Sequence, residues 1–165
     1  MSHHSMIPRP AKADYVSGYK EVLALLERLH RLLLDVLKDE FERTGTLEVN
    51  PVQALLLFNV GDHEVTAGEL KSRGYYQGSN VSYNLKKLVD CGYMHHQRCE
   101  IDRRAVRVRL TAKGQEVRCR VEDLLVAQAG TLEGRGIIDR SALEDVNVLF
   151  RRLERFWSEQ IRYIY

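Results

Sequence analysis

Between positions 70 and 120 lysine and arginine outnumber aspartate and glutamate by 12 to 4, although the 165-residue chain carries a net charge of only +2. The remainder therefore carries −6. A basic middle between acidic flanks suits a surface that meets a polyanion such as nucleic acid. A merely solvated charged face has the same composition, so the residue types around the charges have to decide. From Ser79 to Cys91, a helical step of about 100° per residue places Val81, Leu85, Leu88 and Val89 on one side. Ser79, Asn80, Tyr83, Lys86 and Lys87 fall on the other. The first side must pack on a core. The second has the chemistry of a major-groove reader: asparagine pairs with adenine through two hydrogen bonds, and hydroxyls meet several base edges. Lysines suit phosphates, which position a protein without reading sequence.

Base contacts are expected from the first turns of this helix. Thr66, Arg73 and Gln77 ahead of it, with Ser82 and Asn84 inside it, complete the set expected to face a duplex. Beyond it, Arg98, Asp102, Arg103 and Arg104 lie at or near the tip of a hairpin. Arginine is the natural side chain for a narrow minor groove. Asp102 would orient a neighbouring guanidinium through a fork-like pair.

These residues need a scaffold, and the pattern supplies one. Apolar residues recur at three- and four-residue steps from Asp14 to Arg43, which predicts a long helix ended by Gly45. Asn50-Pro51 caps and opens a second, almost wholly apolar helix closed by Gly61-Asp62. Thr66-Ala67-Gly68-Glu69 reads as a capping box, opening a short helix that ends near Gly74. The helix from Ser79 to Cys91 follows, closed by Gly92. Val106, Val108 and Leu110 then alternate with arginines, so residues 93–110 form a hairpin. Thr111 caps a further helix, and glycines 130, 134 and 136 loosen the chain after it. Ser141-Ala142-Leu143-Glu144 is a second capping box, starting a last helix that carries Phe150, Phe156 and Trp157.

The expected fold is mainly α with a small β-hairpin wing: a winged helix-turn-helix flanked by N- and C-terminal dimerisation helices. Its parts are a flexible arm over 1–12, a dimerisation helix over 13–45 and the winged DNA-binding domain over 46–111. Helices over 112–165 complete the dimerisation region. The outer helices carry more apolar surface than one winged domain can cover, and a second copy would bury it. The excess of apolar residues on the first two helices leaves two readings of Leu33, Phe41, Leu57 and Phe58: plain core, or an apolar crevice that would take a small-molecule effector.

Residues 102–114, DRRAVRVRLTAKG, resemble the wing and following helix start of MarR-type regulators. The pattern is an Asp-x-Arg pair, alternating apolar residues, then Leu-Thr-x-x-Gly. Here it falls on Asp102, Arg104, Val106, Val108, Leu110, Thr111 and Gly114. The stretch VQALLLFNVGDHEVTAGELKSRGYYQGSNVSYNLKKLVDCGY further resembles an alphaproteobacterial subgroup called LdtR-like. The resemblance implies a homodimer on a palindromic operator, acting as a repressor-like regulator, and often a small-molecule or oxidant signal. Two features depart from the common pattern: the aromatic turn Gly74-Tyr75-Tyr76-Gln77-Gly78 and the long, very apolar first helix.

Other classes fare worse. An enzyme is not expected: there is no Gly-rich phosphate loop, nucleophile elbow or His-Glu-x-x-His. Cys91, His95, His96 and Cys99 are close in sequence, but adjacent histidines on a strand point to opposite faces, so neither a metal nor a cofactor is expected. Three cysteines without a repeated spacing argue for reduced thiols. Cysteine-based redox sensing at Cys91, Cys99 or Cys119 stays open as an alternative, as does a winged module that binds protein instead of DNA. No apolar run reaches bilayer length and the N-terminus lacks a secretory profile, so double-stranded DNA in the cytoplasm is the expected partner and no membrane is.

Overall fold

The computed structural model describes residues 10–46, 48–72, 78–98 and 106–162. The elements, in order, are α1 (Pro10–Arg43), α2 (Pro51–Val60), β1 (Val65–Thr66), α3 (Ala67–Ser72), α4 (Gly78–Asp90), β2 (Met94–Arg98), β3 (Val106–Leu110), α5 (Ala112–Gly134) and α6 (Arg140–Arg162). The chain is mainly helical with a small antiparallel sheet, as the periodicity predicts. It divides into two compact units, the first through Arg118 and the second from Cys119.

The first unit builds its core from one side of each element. Leu37 and Phe41 of α1 are buried, as are Ala54, Leu56, Leu57 and Val60 of α2. Leu70 of α3 and Val81, Leu85 and Leu88 of α4 join them, with Tyr93, Met94 and Val108 from the sheet side. α1 packs on α2, α3 on α4, and α4 on β2. α2 begins where the sequence places it. Asn50 Oδ1 accepts from Gln53 N at 2.8 Å, and Gln53 Oε1 accepts from Asn50 N at 3.2 Å, a complete capping box ahead of Pro51.

The hairpin is paired from Met94 opposite Leu110 to Arg98 opposite Val106. Sequence reasoning missed a third strand. Val65 and Thr66 pair with Val108 and Arg107, giving the order β1-β3-β2. Two residues are too few to show a period, and Thr66 was already legible as a cap. The pairing buries Val65 against the same sheet face as Val108.

Three further boundaries differ from expectation. Residues 10–12, assigned to the arm, are already helical, with Pro10 in the first turn, where its missing N–H leaves nothing unsatisfied. α5 runs on through Gly130 to Gly134, because a glycine only weakens a helix that its neighbours support. α6 is capped by Asp139, not Ser141: Asp139 Oδ1 accepts from Ala142 N at 2.7 Å, and α6 begins at Arg140. With α6 starting at Arg140, Ser141 lies inside the first turn and no longer at the boundary where a capping side chain acts.

The second unit contains the end of α5 and all of α6. Leu125, Ala129 and Leu132 of α5, with Ile138 and Leu143, line most of an open cavity of about 450 Å³ within it. α6 presents Leu143, Val146, Leu149, Phe156, Trp157 and Ile161 as exposed apolar residues at helical spacing. In the first unit α1 likewise exposes Tyr15, Val16, Leu25, Leu29 and Leu32.

Candidate nucleic-acid interface

α3 opens on a reciprocal cap. Thr66 Oγ1 accepts from Glu69 N at 3.0 Å, and Glu69 Oε2 accepts from Thr66 N at 2.6 Å. Thr66 therefore ends β1 and starts α3 together, which fixes where the helix pair begins. Arg73 and Gln77 lie outside the described residues, and of Ser79 only the helical backbone is described.

α4 divides as its sequence predicts, with one exception. Val81, Leu85 and Leu88 are buried; Asn80, Ser82, Tyr83, Lys86 and Lys87 are exposed. Tyr83 keeps 66% of its surface open. The exception is Asn84, which is only 9% exposed. Its Nδ2 donates to the Asn80 carbonyl at 2.9 Å, and its Oδ1 accepts from Gln53 Nε2 at 3.2 Å. Asn84 is thus a core residue and not a groove-facing one. It stands on the buried side, one residue ahead of Leu85 and four ahead of Leu88, where a polar side chain persists only because both ends are bonded.

The junction between α4, the hairpin and α5 is held by backbone and by one threonine. Gly92, at φ +78°, turns the chain out of α4, with Gly92 N donating to Val89 O and Tyr93 N to Leu88 O. Thr111 Oγ1 donates to Gly92 O at 2.7 Å and accepts from Gly114 N at 3.1 Å, while Thr111 N donates to Tyr93 O at 3.1 Å. A Cβ at Gly114 would overlap the Tyr93 carbonyl oxygen. The Leu-Thr-x-x-Gly run is therefore a clamp: its threonine caps α5 onto the turn after α4, and its glycine lets the backbones touch. Next to it, Tyr93 OH and Lys113 Nζ both donate to Glu48 Oε2 at 2.9 Å, and Lys113 sits 4.2 Å from the Tyr93 ring centre. The bond from Lys113, then that from Tyr93, holds the Glu48 carboxyl below its ordinary range.

On the sheet, His95 lies opposite Arg109, and Gln97 opposite Arg107. These four side chains share one exposed face around a shallow cavity of about 200 Å³, with Glu64 bonded to Arg107 at 3.3 Å. Arg98 is exposed at the end of β2; Asp102, Arg103 and Arg104 lie outside the described residues. Arg107 and Arg109 alternate with buried Val108, so the period of two that marks the strand is also the signal that turns both guanidinium groups outward.

Residues 49–114 match the family model of the winged helix DNA-binding domain. The exopolysaccharide II synthesis transcriptional activator ExpG of Rhizobium meliloti (strain 1021) is 33% identical over 150 residues, covering 91% of this chain and 77% of its own. A MarR transcriptional regulator from Methanosarcina mazei Go1 superposes with a TM-score of 0.68 at 23% identity, over 84% of this chain and 98% of that one. Streptococcus pneumoniae FabT in complex with DNA superposes with a TM-score of 0.63 at 18% identity, over 86% and 99%. This chain belongs to the MarR family of winged-helix regulators.

As a MarR-family member the protein is a DNA-binding transcription regulator, and the family is not one of enzymes. The residues weighed as metal ligands take separate positions in it. His96 lies opposite Val108 and His95 opposite Arg109, on opposite faces of β2, and Cys99 is outside the described residues. Among the described residues no group of three histidines, cysteines or carboxylates could hold a metal, and Cys91 and Cys119 are free and exposed. No described helix is long and apolar enough to cross a membrane. Of the four residues expected to line an effector crevice, Phe41 and Leu57 are buried in the core of the first unit, while Leu33 and Phe58 are half-buried.

Proposed function

We propose that this regulator binds a palindromic operator as a homodimer in the cytoplasm, with α4 in the major groove and the wing on the adjacent backbone or minor groove. The exposed polar side of α4 carries this reading, since its opposite side is locked into the core. Asn80, Ser82 and Tyr83 are the base-facing candidates, with Thr66, Arg73, Gln77 and Ser79 around them. Lys86, Lys87 and Arg98 would bind phosphates, with Asp102, Arg103 and Arg104 at the wing. Residues 46–111 act as the reader, and 13–45 and 112–165 as the parts that pair two copies. The apolar faces left open on α1 and α6 support the pairing. Two readers one helical turn apart would sit about 34–36 Å from each other.

A small-molecule effector would act by binding one dimer geometry better than another. Leu33 and Phe58, the half-buried members of the proposed crevice, are the ones it would reach, with Phe41 and Leu57 forming the floor. The ExpG relative is an activator, whereas the sequence resemblance suggests a repressor-like mode. We assign the sign of regulation to operator position: the same bound dimer blocks a promoter it overlaps and supports one it flanks.

The test is a fluorescence anisotropy titration of duplexes selected from a randomised library, across salt concentrations. The expected slope of log K against log salt is steep, at about −0.9 per phosphate contacted. Lys86→Ala should weaken all duplexes alike and reduce that slope by about 1. Failure to bind any duplex at low salt would refute the proposal and favour a protein-binding module.

A further inference from the structure

Gln53 and Asn84 are the two buried polar side chains among the described residues. They form one relay. Asn50 N donates to Gln53 Oε1, Gln53 Nε2 donates to Asn84 Oδ1, and Asn84 Nδ2 donates to the Asn80 carbonyl, at 3.2, 3.2 and 2.9 Å. No buried side-chain nitrogen or oxygen among the described residues lacks a partner. The relay starts at the cap of α2 and ends on the backbone of an exposed residue in the first turns of α4.

Stability alone does not require such a pair. Replacing both partners of a buried hydrogen bond with apolar groups of similar shape is often nearly neutral. Apolar contact is non-directional, so the leucines and valines around the pair allow a helix to turn or slide slightly. A hydrogen bond has a short range of lengths and angles, so this one sets both the rotation and the height of α4 against α2. The other buried residues of α2 are Ala54, Leu56, Leu57 and Val60, none of which can do that.

We propose that Gln53 and Asn84 are positioning residues for sequence discrimination: their amide relay holds the first turns of α4 at the rotation that presents Asn80 and Tyr83 to base edges. This rests on the DNA-reading role proposed for α4. Because Gln53 and Asn84 touch no base themselves, their loss misplaces α4 without removing a phosphate contact.

The test uses the full-length protein, the duplex that the wild type selects from a randomised library, and a scrambled duplex of the same composition. Q53M/N84L replaces both amides with side chains of similar shape. The expected result is a wild-type urea midpoint and far-UV spectrum, an unchanged Kd for the scrambled duplex, and a Kd for the selected duplex raised about tenfold, roughly the discrimination of one base pair. If the double variant does not fold, N84L alone is read the same way at a temperature where its far-UV spectrum matches the wild type, because it leaves the Gln53 Nε2 donor without its acceptor and should lower the urea midpoint. A folded variant that keeps the wild-type ratio of the two Kd values overturns the inference and leaves the function standing. A wild type that selects no sequence overturns both.

Discussion

Gly114 and Thr111 show how much of this fold rests on single atoms. Thr111 contributes one hydroxyl that is a donor to the turn after α4 and an acceptor for the first turn of α5. Gly114 contributes the absence of a methyl group. Since the atom that Cβ would meet is a backbone carbonyl, no side-chain rotation relieves the overlap. Gly114→Ala should therefore destabilise the protein by about 1–3 kcal/mol, as overpacking does elsewhere, measured by urea denaturation. Glu48 makes a different prediction. Its carboxyl is held below the ordinary range, mainly by the Lys113 and Tyr93 hydrogen bonds, so its contribution is present above the ordinary glutamate range. That contribution fades as pH falls through the lowered value. The carboxyl is exposed, so the effect is small. Glu48→Gln should lose less thermal stability than wild type between pH 7 and pH 3, because it has no carboxylate to neutralise; an equal loss in both would refute the assignment.

Among the elements, capping is where local sequence left two solutions. Before α6 both Asp139 and Ser141 are good caps, and each has a partner at a suitable distance in sequence. The choice falls to Asp139, whose carboxylate bonds the Ala142 amide. Asp139→Ala should cost about 1 kcal/mol and Ser141→Ala only a few tenths, compared by chemical denaturation. The reverse order would restore the capping box at Ser141. β1 is the other element that local pattern could not show. A two-residue strand has no periodicity, and it exists because β3 offers it an unpaired edge.

The whole molecule leaves apolar surface open on both of its units. Leu149 and Phe156 of α6 remain about half exposed, as does Leu29 of α1. Burying one such side chain is worth roughly 1.5–3 kcal/mol, so several together favour association. The wild type should sediment as a dimer at micromolar concentration. Leu149→Glu with Phe156→Glu should shift it to monomer and weaken operator binding steeply, since one reader then loses the avidity of two. A double variant that stays dimeric would move the interface elsewhere.

The order of the helices, the two sides of α4 apart from Asn84, and the pairing of β2 with β3 followed from sequence, because each depends on periods and caps that are local in the chain. The basic middle of the chain was equally legible, since charge is a property of residue type. Gln53 in an apolar helix was the available signal for the buried relay, yet it named no partner. Asn84 shows why tertiary structure had to decide. It lies near the boundary between the two sides of α4, and a polar residue there can face either water or core. A partner 31 positions away, Gln53, turns it inward. The basic charge between residues 70 and 120 has thereby acquired a division of labour. Asn80, Tyr83 and the lysines of α4 face outward, and Asn84 holds from within the helix that carries them.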